Sequence, residues 1–241
     1  MSTPRFQLRS SIGKKLLNGL TGVLLLLFIV AHLAGNLTIF VGKDALNAYA
    51  ATTHSLGPLL IVIELGLAAV FLAHAASAIS VWRDNKAARD TRYVVSKSKG
   101  AASKQTIASR TMIVTGLVLL VFLVVHLWQF RFGPTTPEYM TTLPGHAGEV
   151  WDLHRIVVET FKDPIWTGVY VAVMLLLGFH LRHGFWSAFQ SIGVLNPKLR
   201  PIAFSTGVIF AVVIAVGFLL LPIFVYLAPD PNAGVAALVK P

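Results

Sequence analysis

Five long apolar runs separated by polar links set the pattern of this chain. The first, LLNGLTGVLLLLFIVAHLAGNLTIF over 16–40, is long enough to cross a bilayer. A spanning helix needs about 20 apolar residues, each rising about 1.5 Å, to cover a hydrocarbon core of about 30 Å. On that basis spans are predicted at 16–41, 58–82, 111–131, 164–189 and 202–227. Pro58 and Pro164 open the second and fourth, and Pro222 predicts a kink in the fifth. The polar link 42–57 carries Asp44, Asn47 and His54, and the link 83–110 concentrates basic residues. In the link 132–163, EVWDLHRIVVETF sets Val150, Leu153, Val157 and Phe161 near helical spacing, which predicts a short interfacial helix. There is no repeat with a period of 20–50 residues and no low-complexity tract. The expected fold class is all-α, a single membrane domain over 1–241 built as a bundle of five transmembrane helices.

Composition sharpens this. The chain is 55% hydrophobic and 12% charged, with a mean hydropathy of +0.72, whereas a soluble domain is about 25% charged. The first run is too long to be the apolar core of a cleavable signal, about 7–15 residues. With no cysteine, disulfides, cluster ligation and covalent haem attachment by this chain are excluded. The net charge of +10 reads as topology and as attraction to anionic lipid or an acidic partner, not as nucleic-acid binding. Arg5, Arg9, Lys14 and Lys15, the eight basic residues of 83–110, and Lys198 and Arg200 all fall on one side. The other side has Lys43, Arg131, Arg155, Lys162 and Lys240. The positive-inside rule therefore predicts a cytoplasmic N-terminus.

Each of the first four spans carries an intramembrane histidine: His32, His74, His126 and His180. An ionisable group at that depth is costly and points to function. His32 and His126 fall in the outer leaflet, roughly 8–14 Å below its surface. His74 and His180 fall in the inner leaflet, roughly 14 Å from the cytoplasmic end. The depths thus pair His32 with His126 and His74 with His180. Two haems stacked across the membrane need this, because each low-spin iron takes two imidazoles from opposite sides at one depth. Small residues beside the histidines, including Ala31, Gly35, Ala73, Ala75, Gly178 and Gly184, leave room for a flat ring. The plain alternative for any one of them is an interhelical hydrogen bond, worth roughly 0.6–2 kcal/mol. His183 lies three residues from His180 and shares its side of the helix.

Two stretches carry a family resemblance. SSIGKKLLNGLTGVLL…HLAGNLTIFVGKDALNAYA and FKDPIWTGVYVAVMLLLGFHLRHGFWSAFQSIG closely resemble the diheme cytochrome b subunit of succinate dehydrogenases, the b558 family related to quinol:fumarate reductase. The middle of the chain matches in layout: five spans, histidines in four. The resemblance implies that His32 and His126 ligate the outer haem iron, and His74 and His180 the inner one. It prefers His180 over His183, because Gly193 follows His180 by thirteen residues. It implies a membrane anchor and electron-transfer subunit of a succinate:quinone oxidoreductase in a bacterial cytoplasmic membrane. Flavoprotein and iron–sulfur subunits would dock on the cytoplasmic face, the basic link 83–110 being a candidate docking segment. Electrons would pass through two non-covalent haems b to menaquinone. A higher oligomer of the complex is compatible with this, and no residue of this chain would act on succinate itself.

Further candidates follow from that reading. Ser10, Ser11, Lys14, Arg83, Arg182, His183 and Ser187 are candidate neighbours of inner haem propionates or an inner quinone. His54 is a candidate for outer quinone proton exchange. Glu64 reads either as a neutral buried acid hydrogen-bonded within the bundle or as part of an outer quinone or proton site. His146 and His154 read as exposed or interfacial. Trp82, Trp128, Trp151 and Trp166 fit an aromatic belt. The alternatives are the cytochrome b subunit of a hydrogenase or formate dehydrogenase, and a haem-free anchor or channel.

Overall fold

The computed structural model describes residues 10–87 and 107–232, with side chains left out at 107–110. The part of the basic link that carries Arg89, Arg92, Lys97, Lys99 and Lys104, and the Arg110 side chain, lie outside the described residues. Seven α-helices and one small hairpin make up the described chain: α1 (Ser11–Asn36), α2 (Lys43–His54), α3 (Pro58–Ala87), α4 (Ile107–Phe130), β1 (Met140–Thr142), β2 (Glu149–Trp151), α5 (Leu153–Lys162), α6 (Pro164–Ser191) and α7 (Leu199–Leu227). Five helices are long and apolar enough to cross a membrane: α1 with its 3₁₀ extension to Phe40, α3, α4 from Thr111, α6 and α7. The chain is a multi-pass helical membrane protein.

Local chemistry sets the helix ends. The Ser10 hydroxyl accepts from Gly13 N at 3.0 Å, so α1 begins at Ser11, five residues before the apolar run. Asp163 accepts from Ile165 N at 2.7 Å, and Pro164 occupies the first turn of α6, where no donor is needed. Helix α7 continues through the buried Pro222 to Leu227.

α3 packs against α1, and α4 against α6, while α1 and α6 contact each other and join the two pairs. α7 closes against α6. Small residues permit these close approaches: a Cβ at Gly178 would lie 2.9 Å from Ala215 Cβ of α7, and one at Gly19 2.9 Å from Ser191 Cβ. Below, the near end of the bundle is the one bearing Ser10, and the far end carries α2, the hairpin and α5.

The far end differs from the sequence expectation. Residues 43–54 form helix α2, not a polar link, with Leu46, Asn47 and Ala50 buried on one face. Within EVWDLHRIVVETF, Val150 pairs with Thr141 in the hairpin, and the helix starts at Leu153 behind the Asp152 cap. His154 is 1% exposed, not interfacial, because α2 and the segment after α7 cover it. Its Nε2 meets Pro231 O at 3.2 Å, and its backbone N–H donates to Asn47 Oδ1 at 2.9 Å.

Candidate metal centre

Two of the intramembrane histidines are in ring contact, and the other two interact electrostatically. At the far level the rings of His32 (α1) and His126 (α4) stand 5.7 Å apart, centroid to centroid, with an interplanar angle of 89°. At the near level His180 (α6) interacts with His74 (α3) and with His183 on its own helix. Phe28 stacks on His32 at 5.4 Å, and Phe122 on His126 at 5.6 Å.

Hydroxyl groups fix the proton positions on three of the rings. Thr21 Oγ1 gives its own proton to Leu17 O, 2.7 Å away, or to Asn18 O at 3.2 Å. Only its lone pairs remain for His74 Nδ1 at 3.3 Å, so Nδ1 is the donor. Thr115 Oγ1 likewise donates to Thr111 O or Met112 O and meets His180 Nδ1 at 3.2 Å. Tyr170 donates to Gln129 Oε1 at 2.7 Å and faces His126 Nδ1 at 3.4 Å. With the hydroxyl protons given to these acceptors, each Nδ1 serves as donor and the lone pair on Nε2 is left over. Second-sphere partners orient imidazole ligands in this way. His32 is held differently: Asn36 donates to its carbonyl at 2.8 Å and lies 3.5 Å from its Nε2.

This donor set fits a particular kind of metal group. No cluster of three or more metal-ligating side chains forms among the described residues. Two opposed neutral imidazoles suit an iron whose other positions are filled by a planar macrocycle. The His32 and His126 rings, 5.7 Å apart, are two imidazole donors of the kind such a group would take.

The threonines went unnoticed in the sequence reading, yet a signal was there. TGVLLLLFIVAH over 21–32 and TGLVLLVFLVVH over 115–126 share Thr, Gly, two Leu, Phe, Val and His at the same offsets. The eleven residues from Thr to His make three helical turns, about 16 Å of rise. α1 and α4 each thus present a Thr at one level and a His at the other on the same face. The following glycine also matches: a Cβ at Gly22 would lie 3.5 Å from His74 Cε1, and one at Gly116 3.6 Å from His180 Cε1. The two copies lie 94 residues apart, well beyond a repeat period of 20–50 residues.

The inner neighbours expected from depth do not converge. Ser10 is spent as the α1 cap, and Ser11 is exposed beside it. Lys14 lies on the Thr21 face two turns toward the near end, ion-paired to Asp84 at 2.6 Å. Arg83 lines a cavity of about 490 Å³ with Ala76, Ile79, Ser80 and Asp84, on the side of α3 turned about 180° from His74. Arg182 lies over Phe204 of α7 at 5.9 Å, about 200° around α6 from His180, with its buried Nε making no hydrogen bond. Ser187 is half-buried on the His180 face, two turns lower. His183 stays beside His180. Position along the chain fixed the depth of Arg83 and Arg182, and helical rotation turned them away from the histidines.

The outer candidates do come together. Glu64 is gripped by Arg131, with Oε1 2.5 Å from Nε and Oε2 3.0 Å from Nη2. Glu64 thus makes a bidentate ion pair with a residue at the end of another helix. His54 interacts with both members of this pair and stacks on Trp151 at 5.6 Å and 13°. Burial and the Arg131 charge hold His54 below the ordinary imidazole range, against the pull of Glu64.

No family model, no curated protein and no solved structure matches the chain.

Proposed function

We propose that the chain is the diheme cytochrome b anchor of a succinate:quinone oxidoreductase in a bacterial cytoplasmic membrane. One observation carries the electron-carrier part: four imidazoles at two levels of one membrane bundle, His32 against His126 at one, and His74 and His180, each with a threonine hydroxyl on its Nδ1, at the other. Bound there, haem b supplies one-electron carriers at two depths. The chain's own residues do the rest. His32 and His126 would hold the outer iron, His74 and His180 the inner iron, and Phe28 and Phe122 would wall the outer site. His180 is favoured over His183 because Thr115 and Gly116 treat it as Thr21 and Gly22 treat His74.

The cluster of His54, Glu64, Arg131 and Trp151 lies at the end where menaquinone would exchange protons. Its imidazole is neutral near pH 7 and could take up a proton and pass it on. The partners, a flavoprotein and an iron–sulfur subunit on the cytoplasmic face, come from the sequence resemblance. The experiment is purification of the chain from membranes under mild detergent, with assay of succinate:menaquinone activity. Co-purification of flavin and clusters with activity supports the reading. A chain that purifies with hydrogenase or formate dehydrogenase partners, or with no redox partner, overturns it.

A further inference from the structure

We propose that Thr21 and Thr115 are a matched pair of positioning residues that set the ring orientation and reduction potential of the near-level metal group. The inference rests on the reading of His74 and His180 as ligands of one haem iron. Both hydroxyls are buried, at 6% and 4% exposure. Both have their protons committed to their own helix, so each offers an imidazole nothing but an acceptor. A Thr that accepts the Nδ1 proton makes the ring a stronger electron donor through Nε2, which favours the oxidised metal. It also pins the ring plane, and the adjoining glycine lets the ring edge lie against the helix backbone.

The far level is built otherwise. His126 has a tyrosine at the longer distance of 3.4 Å, and His32 an asparagine on its carbonyl. The two threonines therefore act on one level only. Since α1 and α4 carry the same twelve-residue pattern, the near-level device has been built twice, once for each ligand.

The test uses the full chain carrying its haem, with Thr21→Val, Thr115→Val, Thr21→Ser and Thr115→Ser. Redox titration followed in the visible, with low-temperature EPR, separates the two haems. His32→Ala identifies the far-level signal by its loss. Each Val variant should move the near-level couple to a more positive potential and shift its low-field EPR line, with the far-level haem unchanged. Each Ser variant should match wild type. Haem loss in the Val variants with retention in the Ser variants also supports the proposal. Val variants with both couples and both EPR lines at wild-type values overturn it, as does a shift confined to the far-level haem or equal haem loss with Val and Ser. Wild-type chain without haem refutes the electron-carrier reading itself, a result distinct from haem whose potentials ignore the threonines.

Discussion

Asn47 offers the sharpest test of how the far end is held. It is 0% exposed and joins α2 to α5 through two hydrogen bonds. Its Nδ2 donates to Asp152 Oδ1 at 2.8 Å, and its Oδ1 accepts from His154 N at 2.9 Å. Asp152, 4% exposed, keeps Lys43 on Oδ2 at 2.9 Å and Arg155 N on Oδ1 at 3.1 Å. In Asn47→Ala the carboxylate loses a bond worth about 1.5–3 kcal/mol, and the His154 N–H is left buried and unpaired at about 1–3 kcal/mol. The expected loss is on the order of 3–5 kcal/mol, a large share of the roughly 5–15 kcal/mol that holds a folded domain. Asn47→Asp keeps the shape and the acceptor but sets a second carboxylate against Asp152. It should be worse than Ala at pH 7 and recover with acid, since two adjacent carboxylates cannot both ionise cheaply. Equilibrium unfolding in mixed micelles, followed by tryptophan fluorescence, measures both; Trp151 adjoins the network. A loss below about 1 kcal/mol for Asn47→Ala, against the 1–3 kcal/mol of a single orphaned group, would refute the reasoning. So would an Asp variant no worse than Ala.

Other outcomes follow from the same geometry. Burial holds His154 below the ordinary imidazole range, against the Pro231 carbonyl and Asp152 that pull it up. Its stabilising contribution is therefore complete above about pH 6.5 and is lost as pH falls from there through the folded value. Amide exchange in α5 should quicken between pH 7 and 5, and His154→Gln should flatten that dependence. His180→Ala should remove one haem and spare the other, while His183→Ala keeps both; the reverse result in absorption spectra would reassign the ligand. Tyr170→Phe retains the ring contacts with Phe122 and Phe161 at 4.9 Å each but loses the 2.7 Å bond to Gln129. It should cost about 1–2 kcal/mol in the same unfolding assay, and an unchanged midpoint would count against the His126–Tyr170–Gln129 chain.

Much of the bundle was legible because hydropathy and depth are linear properties of a chain. Apolar length located the five spans, and counting residues from the span ends paired His32 with His126, whose rings are neighbours. What depth cannot give is the face of a helix. Arg83 and Arg182 lie at suitable depths but project away from the histidines they were expected to serve. Helix α2 was hidden because its mixed polar composition reads as a link, although Leu46, Asn47 and Ala50 share a buried face. The Glu64–Arg131 pair was hidden because its partners lie on different spans. Thr21 and Thr115 could have been found by laying the first and third spans over one another, which gives chemical meaning to residues that read as apolar filler.

In the proposed arrangement four imidazoles hold two iron porphyrins, one pair at each level. A pyridine haemochrome assay on the purified chain, with its protein concentration, tests it most directly. Two non-covalent b-type haems per chain are expected, both low-spin. A count of one breaks the pairing by depth, and a count of none removes the electron-carrying role altogether.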